Sequence, residues 1–207
     1  MEQYETEEQQ VEAIKRFWKE NGLSLVIGAL LGLGGLLGWR YYNDSQIEAK
    51  EQASFAYEKA SEELIKGEAG FGQAKSFIDN YSDTGYAILM ALEMTQQAIE
   101  RKDLVEASIQ LVFVASNAEL TAVQSVAQLR LARIQIEQGE FEQALVSAGK
   151  VSDQAFKAQI QEIKGDVYLA QQLFDKAKAA YSAALQNNNR DQVLKMKLDN
   201  LAIAANG

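Results

Sequence analysis

The chain has 207 residues, a net charge of −9, 47% hydrophobic residues, and no Cys, His or Pro. Without Cys there are no disulfides, thiolate metal sites or thiol catalysis. Without His the commonest general base and transition-metal ligand is gone, and the acidic balance gives no electrostatic reason to bind nucleic acid. A Pro-free chain rich in Ala, Leu, Gln, Glu and Lys is predicted to be all-α.

Residues 1–22 read as a tail, acidic first (Glu2, Glu5, Glu7, Glu8, Glu12) and basic later (Lys15, Arg16, Lys19). Val11, Ile14, Phe17 and Trp18 recur on one helical face, beside the basic residues. Two readings fit: an amphipathic helix lying on the inner membrane surface, or an anchor for the start of the next element.

Between Glu20 and Arg40 lie 19 residues without a charge. A helix of that length spans roughly 28 Å, the thickness of a bilayer's hydrocarbon. Trp39, Tyr41 and Tyr42 follow where an interfacial aromatic belt would sit. Residues 23–42 are therefore predicted to form a transmembrane helix. A cleaved signal peptide would need a small-x-small site after the apolar run, which ends instead in Trp39-Arg40-Tyr41-Tyr42. A buried helix of a soluble domain would be weakened by Gly28, Gly32, Gly34, Gly35 and Gly38, whereas membrane helices tolerate glycine. Three basic residues before the span against Arg40 after it favour an inside N-terminus, a single-pass type II layout with the C-terminal part outside the cytoplasm. In a Gram-negative cell that is the periplasm. Gly28, Gly32 and Gly35 share one face and are candidates for a close helix–helix contact, with a second copy or with another protein.

Residues 45–207 form the predicted C-terminal domain. Only Asn43-Asp44-Ser45 offers a cap before it, so its first helix either starts there or runs on from the span. An aromatic residue or Leu is followed three positions later by Ala at Phe71/Ala74, Leu104/Ala107, Phe141/Ala144 and Phe174/Ala177. The intervals between these alanines are 33, 37 and 33 residues, close to the tetratricopeptide period. In the last unit Gly165, Tyr168, Ala177, Tyr181 and Ala184 stand at the small and aromatic positions of that motif. Gly165 and Ala177 would let two helices of a hairpin touch, and Tyr168 and Tyr181 would fill the space between neighbouring hairpins. Ala132 and Ala144 repeat the twelve-residue spacing. Helices are expected near 86–100 and 103–115, 124–137 and 140–150, and on either side of Gln171-Gln172. The first unit is degenerate, with Gly67, Gly70 and Gly72 at its turn. A terminal helix near 191–203 would cap the stack. The expected fold is thus a single transmembrane helix followed by an α-solenoid of about four helical hairpins and a capping helix. A generic helical bundle is the competing fold.

No catalytic constellation, cofactor loop or metal-ligand motif is present in the sequence. Glu62-Glu63 and Glu140/Glu142 read as solvated faces, and Asp79-Asn80-Tyr81-Ser82-Asp83 lacks the Gly and Glu of a calcium loop. The chain is therefore read as a binding module rather than an enzyme.

The layout resembles the YfgM family, the ancillary subunit of the SecYEG translocon. The resemblance covers essentially the full chain. It is carried by Gln10-Val11-Glu12-Ala13-Ile14-Lys15-Arg16-Phe17-Trp18, Glu20-Asn21-Gly22, Gly38-Trp39-Arg40-Tyr41-Tyr42-Asn43 and Leu129-Arg130-Leu131-Ala132-Arg133-Ile134-Gln135. The region around 61–85 matches loosely. The resemblance implies an inner-membrane protein with a cytoplasmic N-terminus and a periplasmic tetratricopeptide-like domain. It also implies association with SecYEG and the periplasmic chaperone PpiD, and help in handing newly translocated proteins to periplasmic chaperones. A scaffold for a different envelope assembly complex is the alternative.

Overall fold

The computed structural model describes residues 7–188 and 190–204, so Glu2 and Glu5 of the predicted tail lie outside the described residues. Among the described residues there are nine α-helices and no strand. The chain divides into two compact units, residues 1–52 and 53–207.

The first unit is entirely helical where described. It belongs to α1 (Glu7–Leu64), which has no break at Asn43-Asp44-Ser45. Arg40 and Asp44 face each other at 3.7 Å across one turn there, and Gln52 donates to Glu48. These i,i+4 pairs and the helix formers after Ser45 favour continuation over a cap. The helix is the one segment, among the described residues, long and apolar enough to cross a membrane. Its apolar side chains from Leu23 to Tyr42 stand exposed, as a surface made for lipid would.

The second unit stacks helices in hairpins. The last turns of α1, from Ala53, precede α2 (Glu68–Asn80). Then come α3 (Gly85–Glu100) with α4 (Leu104–Asn117), α5 (Thr121–Glu137) with α6 (Phe141–Gly149), and α7 (Lys157–Ala170) with α8 (Phe174–Asn187). The closing helix is α9 (Gln192–Ala204). A short 3-10 turn at Gln154–Phe156, started by the Asp153 carboxylate accepting from the Ala155 N–H, leads into α7. The sequence pattern did not mark this turn.

The core is segmented, as expected of a solenoid in which each hairpin packs on its neighbours. One cluster runs from Ala60 and Leu64 through Met90, Met94 and Leu111 to Leu131. A second joins Leu129 and Ala132 to Ala144, Ala148 and Ile163. The third joins Tyr181 and Ala184 to Leu194 and Leu201. Helix α5 contributes to the first two, so it is buried on both flanks at Ala127, Leu129, Leu131 and Ala132. That explains its weak amphipathic pattern: a helix with neighbours on two sides has no single polar face.

Three of the turns are built alike. Lys102, Gly139 and Gln172 all take left-handed backbone, with φ of 62°, 78° and 60°. The next residue in each case donates its N–H five residues back: Asp103 to the Ala98 carbonyl at 2.8 Å, Glu140 to Gln135 at 2.7 Å, Leu173 to Tyr168 at 2.8 Å. This is the Schellman closure of a helix C-terminus. Five residues after each left-handed position comes the buried alanine, Ala107, Ala144 or Ala177. The turn thus sets the register in which the second helix lays its small residue on the first.

Only Gly139 adopts this backbone without steric cost. Gly139→Ala should lower local stability by about 1 kcal/mol, while Lys102→Gly and Gln172→Gly should match or exceed the parent by up to about 1 kcal/mol. Hydrogen exchange on the full chain checks this. Protection of α5 and α6 falls in the first variant, and protection of α3–α4 or α7–α8 holds or rises in the others. The opposite signs would contradict the turn assignment.

Candidate functional site

The expected packing positions sit as follows. Ala74, Ala107, Ala132, Ala144, Ala177, Tyr181 and Ala184 are fully buried. Gly165 is buried, and a Cβ built on it would run into the Tyr181 ring. Tyr181 therefore packs inside its own hairpin, across α8 and onto α7, and its outer side meets Lys197 of α9, whose Nζ lies 5.7 Å from the ring centroid. Tyr168 is half-buried, with Lys176 Nζ 5.8 Å from its ring centroid. Gly28, Gly32 and Gly35 belong to the first unit, are exposed, and would each accept a Cβ without contact.

Within the second unit, polar side chains bridge alternate helices: the last turns of α1 to α3, α5 to α7, and α7 to α9. The Tyr57 hydroxyl of α1 donates to Glu93 of α3. Arg133 of α5 lies 3.6 Å from Glu162 of α7. Lys197 of α9 donates to Glu162 at 2.7 Å and to both Asp166 oxygens at 2.7 and 2.8 Å. The Tyr181 hydroxyl donates to Asp166 at 2.7 Å. These carboxylates are engaged in holding helices together.

One junction differs. Among the described residues, no hydrogen bond or ion pair joins α3 to α5. A groove of about 710 Å³ opens there. Its α3 wall carries Leu89, Leu92, Glu93, Gln96, Ile99 and Glu100; its α5 wall carries Arg130, Arg133, Ile134 and Glu137. Tyr57 and Leu104 close two corners. Leu89 and Ile99 are 47% and 46% exposed, which is high for leucine and isoleucine inside a concavity. Apolar concavities with a few polar groups on their walls are the usual form of a ligand site.

The sequence analysis missed this groove. A signal for it was present: the 37-residue interval that relates Ala107 to Ala144 also relates Glu93 to Arg130, Gln96 to Arg133 and Glu100 to Glu137. Laying the repeats over each other would have placed these residues on facing walls. The Tyr57–Glu93 bond spans 36 residues and has no local mark.

Burial, reinforced by Glu93, pushes the Tyr57 hydroxyl up to about 12. Burial, then the Asp166 hydrogen bond, pushes Tyr181 up further. Lys197 is also raised, since burial, which acts to lower it, is outweighed by its bonds to Asp166 and Glu162. All three are raised above their unfolded values, so the stability they contribute is intact below pH about 10 and is lost as pH climbs through the folded values. The second unit should loosen in alkali, beginning between pH 10 and 12, the ordinary and folded values for Tyr57. Tyr57→Phe should be less stable at neutral pH but show a flatter decline across that window. Tyrosinate difference absorbance followed alongside circular dichroism tests this. An unchanged alkaline slope in Tyr57→Phe would contradict the burial of this hydroxyl.

Comparison with known proteins adds the following. A family model described as a tetratricopeptide repeat-like domain matches residues 15–203. The ancillary SecYEG translocon subunit of Escherichia coli (strain K12) is 32% identical over 207 residues, covering 98% of this chain and all of the relative. The protein of the same name from Aggregatibacter actinomycetemcomitans is 34% identical, covering 94% of this chain and 97% of the relative. That from Haemophilus influenzae is 31% identical over the same shares. No solved structure matches the chain significantly.

Proposed function

We propose a function from one premise: the chain belongs to the tetratricopeptide repeat-like family and, within it, to the ancillary SecYEG translocon subunits. It acts as a non-catalytic, protein-binding module beside the SecYEG translocon. Residues 23–42 cross the inner membrane, residues 1–22 lie in the cytoplasm, and residues 45–207 lie in the periplasm. The module helps pass newly translocated proteins from SecYEG to periplasmic chaperones, among them PpiD.

One observation carries this reading. The same chain holds a membrane-length apolar helix and a solenoid with an apolar groove of about 710 Å³. A groove of this kind suits side chains of an unfolded polypeptide, and a membrane helix confines it to where such polypeptides emerge. Orientation rests on Lys15, Arg16 and Lys19 before the span against Arg40 after it. The exposed face of Gly28, Gly32 and Gly35 is the surface proposed to meet a partner's helix in the bilayer. The name carried by the relatives supports the translocon; the family resemblance supports the chaperone.

Affinity purification of the full chain in mild detergent, with mass spectrometry of what accompanies it, tests the proposal. Translocon subunits and a periplasmic chaperone should be recovered, and replacing Gly28, Gly32 and Gly35 with Leu should reduce translocon recovery several-fold while the second unit stays folded. Recovery of a different envelope complex without the translocon would overturn the assigned function.

A further inference from the structure

The groove between α3 and α5 is electrically uneven along its length. At one end Glu93 stands at the same repeat level as Arg130, and Arg133 lies one turn on, 3.6 Å from Glu162. Charge there is close to balanced. At the other end Glu100 and Glu137 occupy the same level, and both line the groove. Each is the last residue of its helix, so the negative ends of two helix dipoles arrive with the two carboxylates. Among the described residues the Glu100 carboxylate accepts hydrogen bonds only from the neutral amides of Gln96 and Gln97, at 3.0 and 3.1 Å. Among the described residues the Glu137 carboxylate has no hydrogen-bond or ion-pair partner.

The nearest cations do not correct this. Arg101 turns its guanidinium over the Phe71 ring, 4.4 Å from the centroid, and does not line the groove. Lys102 occupies the left-handed turn position and is exposed outside the groove. Arg133, one turn before Glu137 on α5, is the nearest cation in the groove and is paired with Glu162 at 3.6 Å rather than with Glu137; Arg130 lies two helical turns, about 10 Å, from Glu137. Between the ends Ile99 and Ile134 give the walls apolar surface beside Gln96 and Arg133, and Leu89 and Leu104 extend it beyond either end.

We propose that this groove takes an apolar stretch of unfolded polypeptide in one direction, with a Lys or Arg of that stretch seated between Glu100 and Glu137. The inference rests on the protein-binding role above and adds the chemistry and polarity of what is bound. Apolar side chains of the guest fill the space beside Leu89 and Ile99. Its cation meets two carboxylates and two helix C-termini that form no ion pair among the described residues. An acidic residue at that position would meet like charge and be rejected.

The test uses the full chain in lipid nanodiscs and three fluorescent peptides. They share one apolar sequence and differ at one end only, carrying Lys, Gln or Glu. Fluorescence anisotropy at low salt should rank them Lys, Gln, Glu, with Lys about tenfold tighter than Glu and the gap narrowing as salt rises. Glu100→Gln with Glu137→Gln should abolish the ranking while leaving the Gln-ended peptide's affinity unchanged. That readout also shows the variant is folded. Ile99→Ser should weaken all three. Equal binding of the three peptides, a ranking that survives the double substitution, or no saturable binding would overturn the proposal. Loss of the ranking with translocon recovery intact in the double variant is the expected separation of groove from anchor. Failure of the parent chain to recover the translocon, with the ranking present, would count against the translocon role and not against the groove.

Discussion

The close approach of two helices across a three-residue turn is the constraint on which the second unit depends. Arg101-Lys102-Asp103, Gln138-Gly139-Glu140 and Gln171-Gln172-Leu173 reverse the chain with the same left-handed residue and the same five-back hydrogen bond. The returning helix then meets its partner at a small residue. Where Gly165 faces Tyr181 there is no room for even a methyl group, because the ring is also held by its hydrogen bond to Asp166. Hairpins closed this tightly stack with alternate helices on one side. That alignment brings residues 37 positions apart onto facing walls.

The alignment has an electrostatic consequence. Side chains that meet across alternate helices either bond or leave a gap. Tyr57 with Glu93, Arg133 with Glu162, and Lys197 with Glu162 and Asp166 bond, and those junctions are closed. Between α3 and α5 the groups nearest in level are Gln96 with Arg133 and Glu100 with Glu137, which include no pair of opposite charges. Glu93, level with Arg130, is already taken by Tyr57. The groove lies where the bridging fails. Among the described residues this is the junction of alternate helices left unbridged, and the same chain carries a membrane-length apolar helix.

Much of this was legible in the residues. The helical content follows from the absence of Pro, the membrane helix from 19 uncharged residues, and the hairpins from Ala74, Ala107, Ala144 and Ala177. Helix ends marked by the Arg101–Asp103 and Gln138-Gly139 turns fall within a few residues of where the pattern put them. What stayed hidden has physical causes. Lys102 and Gln172 carry no mark of left-handed backbone, since only glycine advertises it in sequence. The continuity of α1 through Asn43-Asp44-Ser45 depends on side-chain pairing that competes with capping. The groove depends on distant residues meeting, which local periodicity does not encode. The glycine face is visible in sequence, and Gly28, Gly32 and Gly35 stand exposed on it.

The most direct measurement is site-specific photo-crosslinking in growing cells. A photoreactive residue is placed at Leu89 or Ile99 in the groove, and for comparison at Val105 or Val112, which are 65% and 49% exposed on α4 outside the groove. The account predicts that the groove positions capture newly translocated polypeptides, with yield rising when secretion is active, and that the α4 positions capture little. Capture from α4 with none from the groove would contradict it.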